Sequence, residues 1–310
     1  MPEKIILDCD PGHDDAIAIL LACASPELEV RGITTVAGNV SLEKTSTNAL
    51  KVCELGNIKR IPVYAGMSGP LVRRLETAEH VHGKSGMDGP ELPEPELKPA
   101  QMSAVDFIIS ELINSAEPIT LVPTGPLTNI AMAILHEPRI VPKIKEIVSM
   151  GGALYEGNIT PSAEFNIYVD PHAARIVYSC GAKVTMIGLN LTHQALATPE
   201  RIARIKSIGT KVSETVVQLL DFYFRFHRRR YTLPGPPLHD PCAVAAVIDR
   251  SLIKTNRMYV DIETTGELTI GRTVCDVWGV TGKQPNAEVG MSIDDERFFD
   301  LLIERLAGYR

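Results

Sequence analysis

Asp8, Asp10, Asp14 and Asp15 put four carboxylates within the eight residues DCDPGHDD. If a strand runs through KIILDC, side chains alternate across it and Asp8 and Asp10 share a face. Pro11 and Gly12 force a turn, so Asp14 and Asp15 fall in the first turn of the helix predicted over DDAIAILLACA. A helix N-terminus favours negative charge by only about 0.3–1 kcal/mol per group. Two like charges about 4 Å apart repel by roughly 4 kcal/mol at an effective dielectric near 20. The dipole cannot offset such a cluster once it is partly buried, so the cluster must hold a proton or a divalent cation. Oxygen-only ligands point to a hard ion, Ca²⁺ or Mg²⁺. No His and Cys spacing of the zinc type accompanies them. The blander alternative is an acidic helix cap with solvated side chains.

Phosphatases of the haloacid-dehalogenase type also carry paired aspartates after a first strand, one of them a nucleophile. That pattern wants a Thr or Val after a Gly behind the second Asp, whereas Asp10 is followed by Pro11. A second constellation lies far along the chain, where LHDP precedes the helix-like run CAVAAVID. Asp240 suits a helix cap there, and His239 beside it suits a proton donor held next to a ligand. Between the two, GNITPSAEFNIYVDP supplies Asn158, Glu164 and Asn166, amides and a carboxylate suited to several hydroxyls at once. The run Arg225, His227, Arg228, Arg229 and Arg230 reads as a solvated helix face or a subunit contact, with aromatic residues around it.

These residues need a scaffold that brings distant segments together. Short apolar runs alternate with helical patterns through the first 190 residues. Strands are expected at KIILDC, 30–36, 61–64, 119–122, 146–150 and 183–188, and helices at 42–55, 103–114, 126–136 and 171–179. That alternation predicts one large α/β domain over 1–310, Rossmann-like, with a mostly parallel central sheet flanked by helices. Ligands in such sheets bind outside the carboxyl ends of the strands. Residues 66–99 show no periodicity, and a loop of that length in a compact domain is functional or disordered. The pattern is helical over 198–249, which adds helices at the active-site rim. Strand-like runs follow at 259–263, 272–277 and 288–293, then a last helix.

Composition narrows the function class. The 310 residues are 45% hydrophobic and 22% charged, with mean hydropathy +0.05 and no apolar stretch long enough for a membrane helix. A net charge of −7 argues against nucleic acid as a partner. The six cysteines form no CxxC pair and several sit in apolar runs, so reduced buried thiols are expected. The start, MPEKIILDCDPGHDD, does not read as a signal peptide. A cytoplasmic protein is the expectation.

Seven stretches together resemble the inosine–uridine-preferring nucleoside hydrolase family: DCDPGHDDA, TTVAGN, HVHGKSGMDG, LVPTGPLTNIA, MGGALYEGNITPSAEFNIYVDP, GLNLTHQALATP and LHDPCAVAAVID. They run in order over nearly the whole chain. The resemblance implies hydrolysis of the N-glycosidic bond of a ribonucleoside to ribose and free base, with one bound Ca²⁺. It implies Asp10, Asp15, Asp240 and the carbonyl of Thr124 as metal ligands, with Asp10 also the general base. Asp14 and Asn166 match residues that hold the 2′ and 3′ hydroxyls, and Asn158 and Glu164 those at the 5′ hydroxyl. Asn39, Met150 and Phe165 match positions beside the substrate, and Asp8 a supporting carboxylate.

His239 matches a leaving-group acid and His82 a histidine on a mobile loop near the base. The family often supplies two tyrosines from the helix before the His-Asp segment. Here Tyr223 fits the first, His227 stands at the second, and Tyr231 lies four residues on. His227 is expected to reach the base, and 66–99 to act as a lid that excludes water. The resemblance implies a homo-oligomer, a tetramer or dimer. Two other readings stay in view, a Mg²⁺-dependent phosphatase of the haloacid-dehalogenase type and a nucleoside- or ribose-binding protein without turnover. The preferred base stays open.

Overall fold

A computed structural model describes residues 1–230 and 233–309, with the side chains of 226–230 outside the description. The chain begins with β1 (Glu3–Cys9), α1 (His13–Ala24), β2 (Leu28–Thr35), α2 (Leu42–Leu55) and β3 (Val63–Ala65). The short α3 (Glu79–His82) interrupts the long irregular segment. Then come α4 (Ala104–Asn114), β4 (Ile119–Pro123), α5 (Thr128–His136), β5 (Ile144–Met150), α6 (Phe165–Val169), α7 (Pro171–Ser179), β6 (Val184–Ile187) and α8 (Leu189–Thr192). The remainder is α9 (Pro199–Lys206), α10 (Lys211–Arg230), α11 (Asp240–Ile248), β7 (Ile253–Met258), β8 (Val260–Ile262), β9 (Thr273–Cys275), β10 (Ala287–Ile293) and α12 (Asp295–Ala307).

Eight strands form one sheet in the order β3-β2-β1-β4-β5-β6-β10-β7. Every pairing is parallel except β10 with β7. The α/β class is therefore as expected, and the order reverses between β1 and β4, which makes their carboxyl ends the switch point where such sheets bind ligands. Asp8 pairs with Thr34 on one side and Pro123 on the other, so the aspartate motif leaves the sheet there. Helix α1 is buried from His13 to Ala22 because it is enclosed by α2, α11 and α12, which suits its almost unbroken apolar composition.

Four strands differ from expectation. Residues 253–258, IKTNRM, form the antiparallel edge strand β7; its exposed Lys254, Asn256 and Arg257 hid the alternation and are what an edge strand carries against mispairing. The runs near 259–263 and 272–277 pair only with each other, as the antiparallel β8–β9 ribbon outside the main sheet. Beyond that ribbon, Trp278 and Val280 are exposed. Strand β3 begins two residues later than expected, and the carbonyl of Pro62 just before it accepts from the Ile33 amide.

Residues 66–99 hold little regular structure but are tied down along their length. Met67 donates its amide to Asn129 Oδ1 (2.8 Å), Leu71 to Asp170 Oδ2 (2.9 Å), Ala78 to the Asn39 carbonyl (2.9 Å) and Leu97 to Glu54 Oε1 (2.6 Å). Helix α3 sits against α10, so the two form the helical rim of the pocket.

Candidate active site

The turn after β1 turns its carboxylates inward. Asp10 Oδ2 accepts the Asn39 amide at 2.7 Å, and Asn39 Nδ2 returns to the Asp10 carbonyl at 3.1 Å. Asp15 lies in the first turn of α1, where Oδ2 accepts the Gly12 amide (2.9 Å) and Oδ1 the Thr124 hydroxyl (2.9 Å). Thr124 comes from the end of β4, so this hydroxyl ties the two switch-point strands together. Asp14 takes the backbone N–H groups of His239 and Asp240 at the start of α11. Asp14, Asp15 and Asp240 each present an oxygen within 4.8 Å of the others. Segments from opposite ends of the sequence therefore meet at one point.

Burial pushes all of these carboxyls up, and the charge of neighbouring aspartates adds to it at Asp10, Asp14 and Asp240. Asp14 rises to about 7, first by burial and then by the charge of Asp15. Asp10 and Asp240 rise well above the usual carboxylate range for the same two reasons, and Asp15 rises through burial. Among the described residues none of the lysines or arginines forms an ion pair with any of them. Asp10 Oδ1 is buried and has no hydrogen-bond partner among the described residues. Four clustered carboxylates with an orphaned oxygen fit a hard dication, which supplies the charge that buried acids otherwise lack.

Asp8 sits below this cluster. Its Oδ1 accepts the Thr34 hydroxyl (2.5 Å) and Asn129 Nδ2 (2.7 Å), and burial raises it to about 7. It does not line the pocket.

The pocket above the cluster is lined by Asp14, Asn39, His82, Thr124, Met150, Asn158, Glu164, Phe165, Asn166, Tyr223, His239 and Asp240, with Ala78, His80, Val81, Ile159 and His193. Asp10 and Asp15 lie beneath its floor, fully buried. Asn166 Nδ2 donates to the Thr124 carbonyl at 2.7 Å. A carbonyl has a second lone pair, so that contact leaves one for a cation. Glu164 is the cap of α6: Oε1 accepts the Asn166 amide (2.9 Å) and Oε2 those of Gly152 (2.9 Å) and Ile167 (3.2 Å). Burial outweighs those bonds and lifts Glu164 to about 7. Asn158 Oδ1 accepts the Phe165 amide at 2.9 Å. His239 Nδ1 lies 2.7 Å from the Thr192 hydroxyl, which fixes the ring at the end of α8.

His82 is buried in the pocket wall, stacked against Tyr223 with ring centroids 5.4 Å apart. A side chain at Gly12 would meet the His82 ring at 2.7 Å, so the glycine is what lets the histidine approach α1. Tyr231 lies outside the described residues, as do the side chains of His227, Arg228, Arg229 and Arg230. Arg225 is exposed, its guanidinium 5.9 Å from the Phe222 ring.

The sequence reading missed His193, His80 and Ile159. His193 sits 3.5 Å from Glu156, with its ring 5.7 Å from that of His239. It follows the end of β6 in GLNLTHQ, a location that singles out a pocket residue only once the strand order is known.

Comparison with known proteins decides the family. Residues 5–300 match the model of the inosine-uridine preferring nucleoside hydrolases. The chain belongs to that family. It is 49% identical over 310 residues, all of both chains, to the pyrimidine-specific ribonucleoside hydrolase RihA of Escherichia coli O7:K1. Among solved structures it is similar to a purine-preferring ribonucleoside hydrolase from Gardnerella vaginalis, at 37% identity, 99% coverage of each chain and a TM-score of 0.93. A plant nucleoside hydrolase, PpNRh1, matches at 35% identity with the same coverage and TM-score. As a nucleoside hydrolase, the chain is an enzyme that cleaves ribonucleosides.

Proposed function

We propose that the chain hydrolyses pyrimidine ribonucleosides to ribose and free base with a Ca²⁺ ion in the aspartate cluster. The observation that carries this reading is the meeting of Asp14, Asp15 and Asp240 beneath a polar pocket, beside the unpartnered Asp10 oxygen. The 49% identical relative is named pyrimidine-specific, which favours uridine and cytidine over purine nucleosides. When bound, the cation would polarise and orient a water molecule beside the sugar.

Asp10, Asp15, Asp240 and the Thr124 carbonyl would hold the ion, with Asp14 within 4.8 Å of the Asp15 and Asp240 oxygens beside them, and Asp10 would take the proton from the attacking water. Burial raises its basicity above that of an exposed carboxylate. Asp14 and Asn166 hold the 2′ and 3′ hydroxyls, while Asn158 and Glu164 hold the 5′ hydroxyl. Asn39, Met150 and Phe165 close around the sugar. Positive charge grows on the ribose as the bond to the base breaks, and these carboxylates and amide oxygens stabilise it more than the neutral ground state. Holding three hydroxyls converts remote binding into orientation. The departing base is served by His239, with His82, Tyr223, His227 and Tyr231 at the base side. The enzyme is read as one domain working in the cytoplasm as a homo-oligomer, a tetramer or dimer, without membrane or nucleic-acid partners. Among the described residues no helix is long and apolar enough to cross a membrane.

Incubating the purified protein and Ca²⁺ with uridine, cytidine, inosine and adenosine, and following release of reducing sugar, tests the reading. Uridine and cytidine should turn over fastest, and Asp10→Asn should lower kcat about a thousandfold while a ribose analogue still binds. No sugar from any nucleoside would overturn the assignment of activity. Equal or faster release from inosine would overturn the pyrimidine preference alone.

A further inference from the structure

Five of the eleven large apolar side chains that stand exposed among the described residues fall within 268–280, on the β8–β9 ribbon and its flanks. The others are scattered along the chain, which is ordinary for a protein surface, whereas a concentration of this kind marks a contact site. The inner side of the ribbon is already committed. Thr273 Oγ1 accepts the Ala153 amide at 2.9 Å and donates to the Ala153 carbonyl at 2.5 Å, beside the Gly152 amide that holds Glu164. Side chains alternate along β9, so Val274 stands on the opposite side and is exposed. The chain then turns, leaving Val277 exposed and Trp278 and Val280 almost wholly so, at 89% and 84%. That turn is built, not loose. Asp276 Oδ1 accepts the Val280 amide (2.8 Å), and Oδ2 accepts the Thr281 amide (2.8 Å) and hydroxyl (2.5 Å). A large apolar tip fixed in place beforehand loses little entropy on binding.

Two observations choose the occupant. Trp278 alone offers about 200 Å², and with Val274, Val277 and Val280 the patch reaches roughly 500 Å², at the upper end for a monomer. A two-fold contact uses the same patch on both copies, so it would bury about 1,000 Å², the least that a specific interface needs. Charges of both signs stand around the patch, Asp261 and Glu267 with Arg272 and Lys283. A copy turned about a two-fold axis can set acid against base there, whereas an anionic membrane would select a rim of cations alone. We propose that the outer face of the β8–β9 ribbon, centred on Trp278, is the surface through which the chain binds a second copy of itself. The proposal rests on the reading of the enzyme as a homo-oligomer, and gives that assembly a place and an anchor residue. The contact lies behind the turn that holds Glu164, with Thr273 between the two.

Trp278 is the only tryptophan in the sequence, so the unmutated full-length protein reports on its own contact. Sedimentation velocity gives the mass, and acrylamide quenching of tryptophan emission gives the exposure of that one ring, both across a wide range of concentration. The expected result is a mass of two chains or more wherever the ring is shielded, with quenching rising as dilution separates the copies. Trp278→Ser combined with Val280→Ser should weaken the association at least about thirtyfold, with the circular dichroism of the parent. A single-chain mass at every concentration overturns the proposal and the homo-oligomer reading together. An oligomer whose tryptophan is quenched as freely as N-acetyltryptophanamide overturns the proposal alone, as does a double variant that associates like the parent. Shielding that appears only on vesicles of phosphatidylcholine and phosphatidylserine, in a protein of single-chain mass, puts a membrane at the patch and also overturns it. If the double variant does not fold, the mass and quenching of the parent still decide. None of these readouts depends on nucleoside turnover.

Discussion

Gly38 and Gly125 stand against the Asp10 carboxylate, and neither has room for a side chain. A Cβ on Gly125 would lie 2.6 Å from Asp10 Oδ1, and one on Gly38 would overlap Oδ2. Neither glycine has the positive backbone angle that would call for glycine on its own account, so the space they leave is for the acid. Gly38→Ala should therefore push Asp10 out of line at a cost of about 1–3 kcal/mol in stability. Ca²⁺ affinity, measured by calorimetry, should weaken at least tenfold, while the circular dichroism of the sheet stays that of the parent. At this scale much of the site was legible. Four aspartates within eight residues announce a charge problem whatever the fold, and Asp240 beside His239 announces a second polar helix start. His193 and His80 were not legible, since a histidine among ordinary loop residues carries no signal until the strand ends converge.

At the scale of elements, Asn129 is the joint between the sheet and the long irregular segment. From α5 its Nδ2 reaches Asp8 Oδ1 (2.7 Å) and the Thr35 carbonyl (3.0 Å), while its Oδ1 takes the Met67 amide (2.8 Å). Asn129→Ala leaves the half-buried Met67 amide without its acceptor, while Asp8 Oδ1 keeps the Thr34 hydroxyl and the Thr35 carbonyl keeps the Gly66 amide; it should cost about 1–3 kcal/mol, read from denaturant unfolding. Hydrogen exchange at 66–72 should rise in the same variant, because the segment is held there by this side chain and by Asp170. Strands β1, β4, β5 and β6 were readable because burial on both faces makes a parallel strand an apolar run. β7 was not, since one polar edge destroys the pattern. The short helices α6 and α8 also escaped the sequence reading, being too brief for a helical period. α6 is nucleated by the Glu164 cap and α8 lies at the end of β6.

For the whole molecule, pH and cation trade places. Asp8, Asp14 and Glu164 sit near 7 in the fold, against about 4 in an unfolded chain. The metal-free native state thus keeps protons that the unfolded state releases between those values. The stability that these three protonated groups contribute is fully present below the unfolded value and is lost as pH rises through 7. In the presence of a chelator the melting temperature should drop by about 5 °C or more between pH 5 and pH 7.5. Ca²⁺ at a hundred times its Kd should add about 2.7 kcal/mol at the upper pH, and little at pH 5, where protons compete for the same oxygens. A melting temperature that climbs with pH in chelator would contradict this.

The carboxylates that meet at the base of the pocket are separated by most of the polypeptide. A nascent chain still lacking α11 has Asp14 and Asp15 but not their partner at 240, so it carries the repulsion without a complete cage. Affinity for the ion thus arrives as a late step of biogenesis, and a fragment that stops short of the last third stays inert however well its first strands have paired.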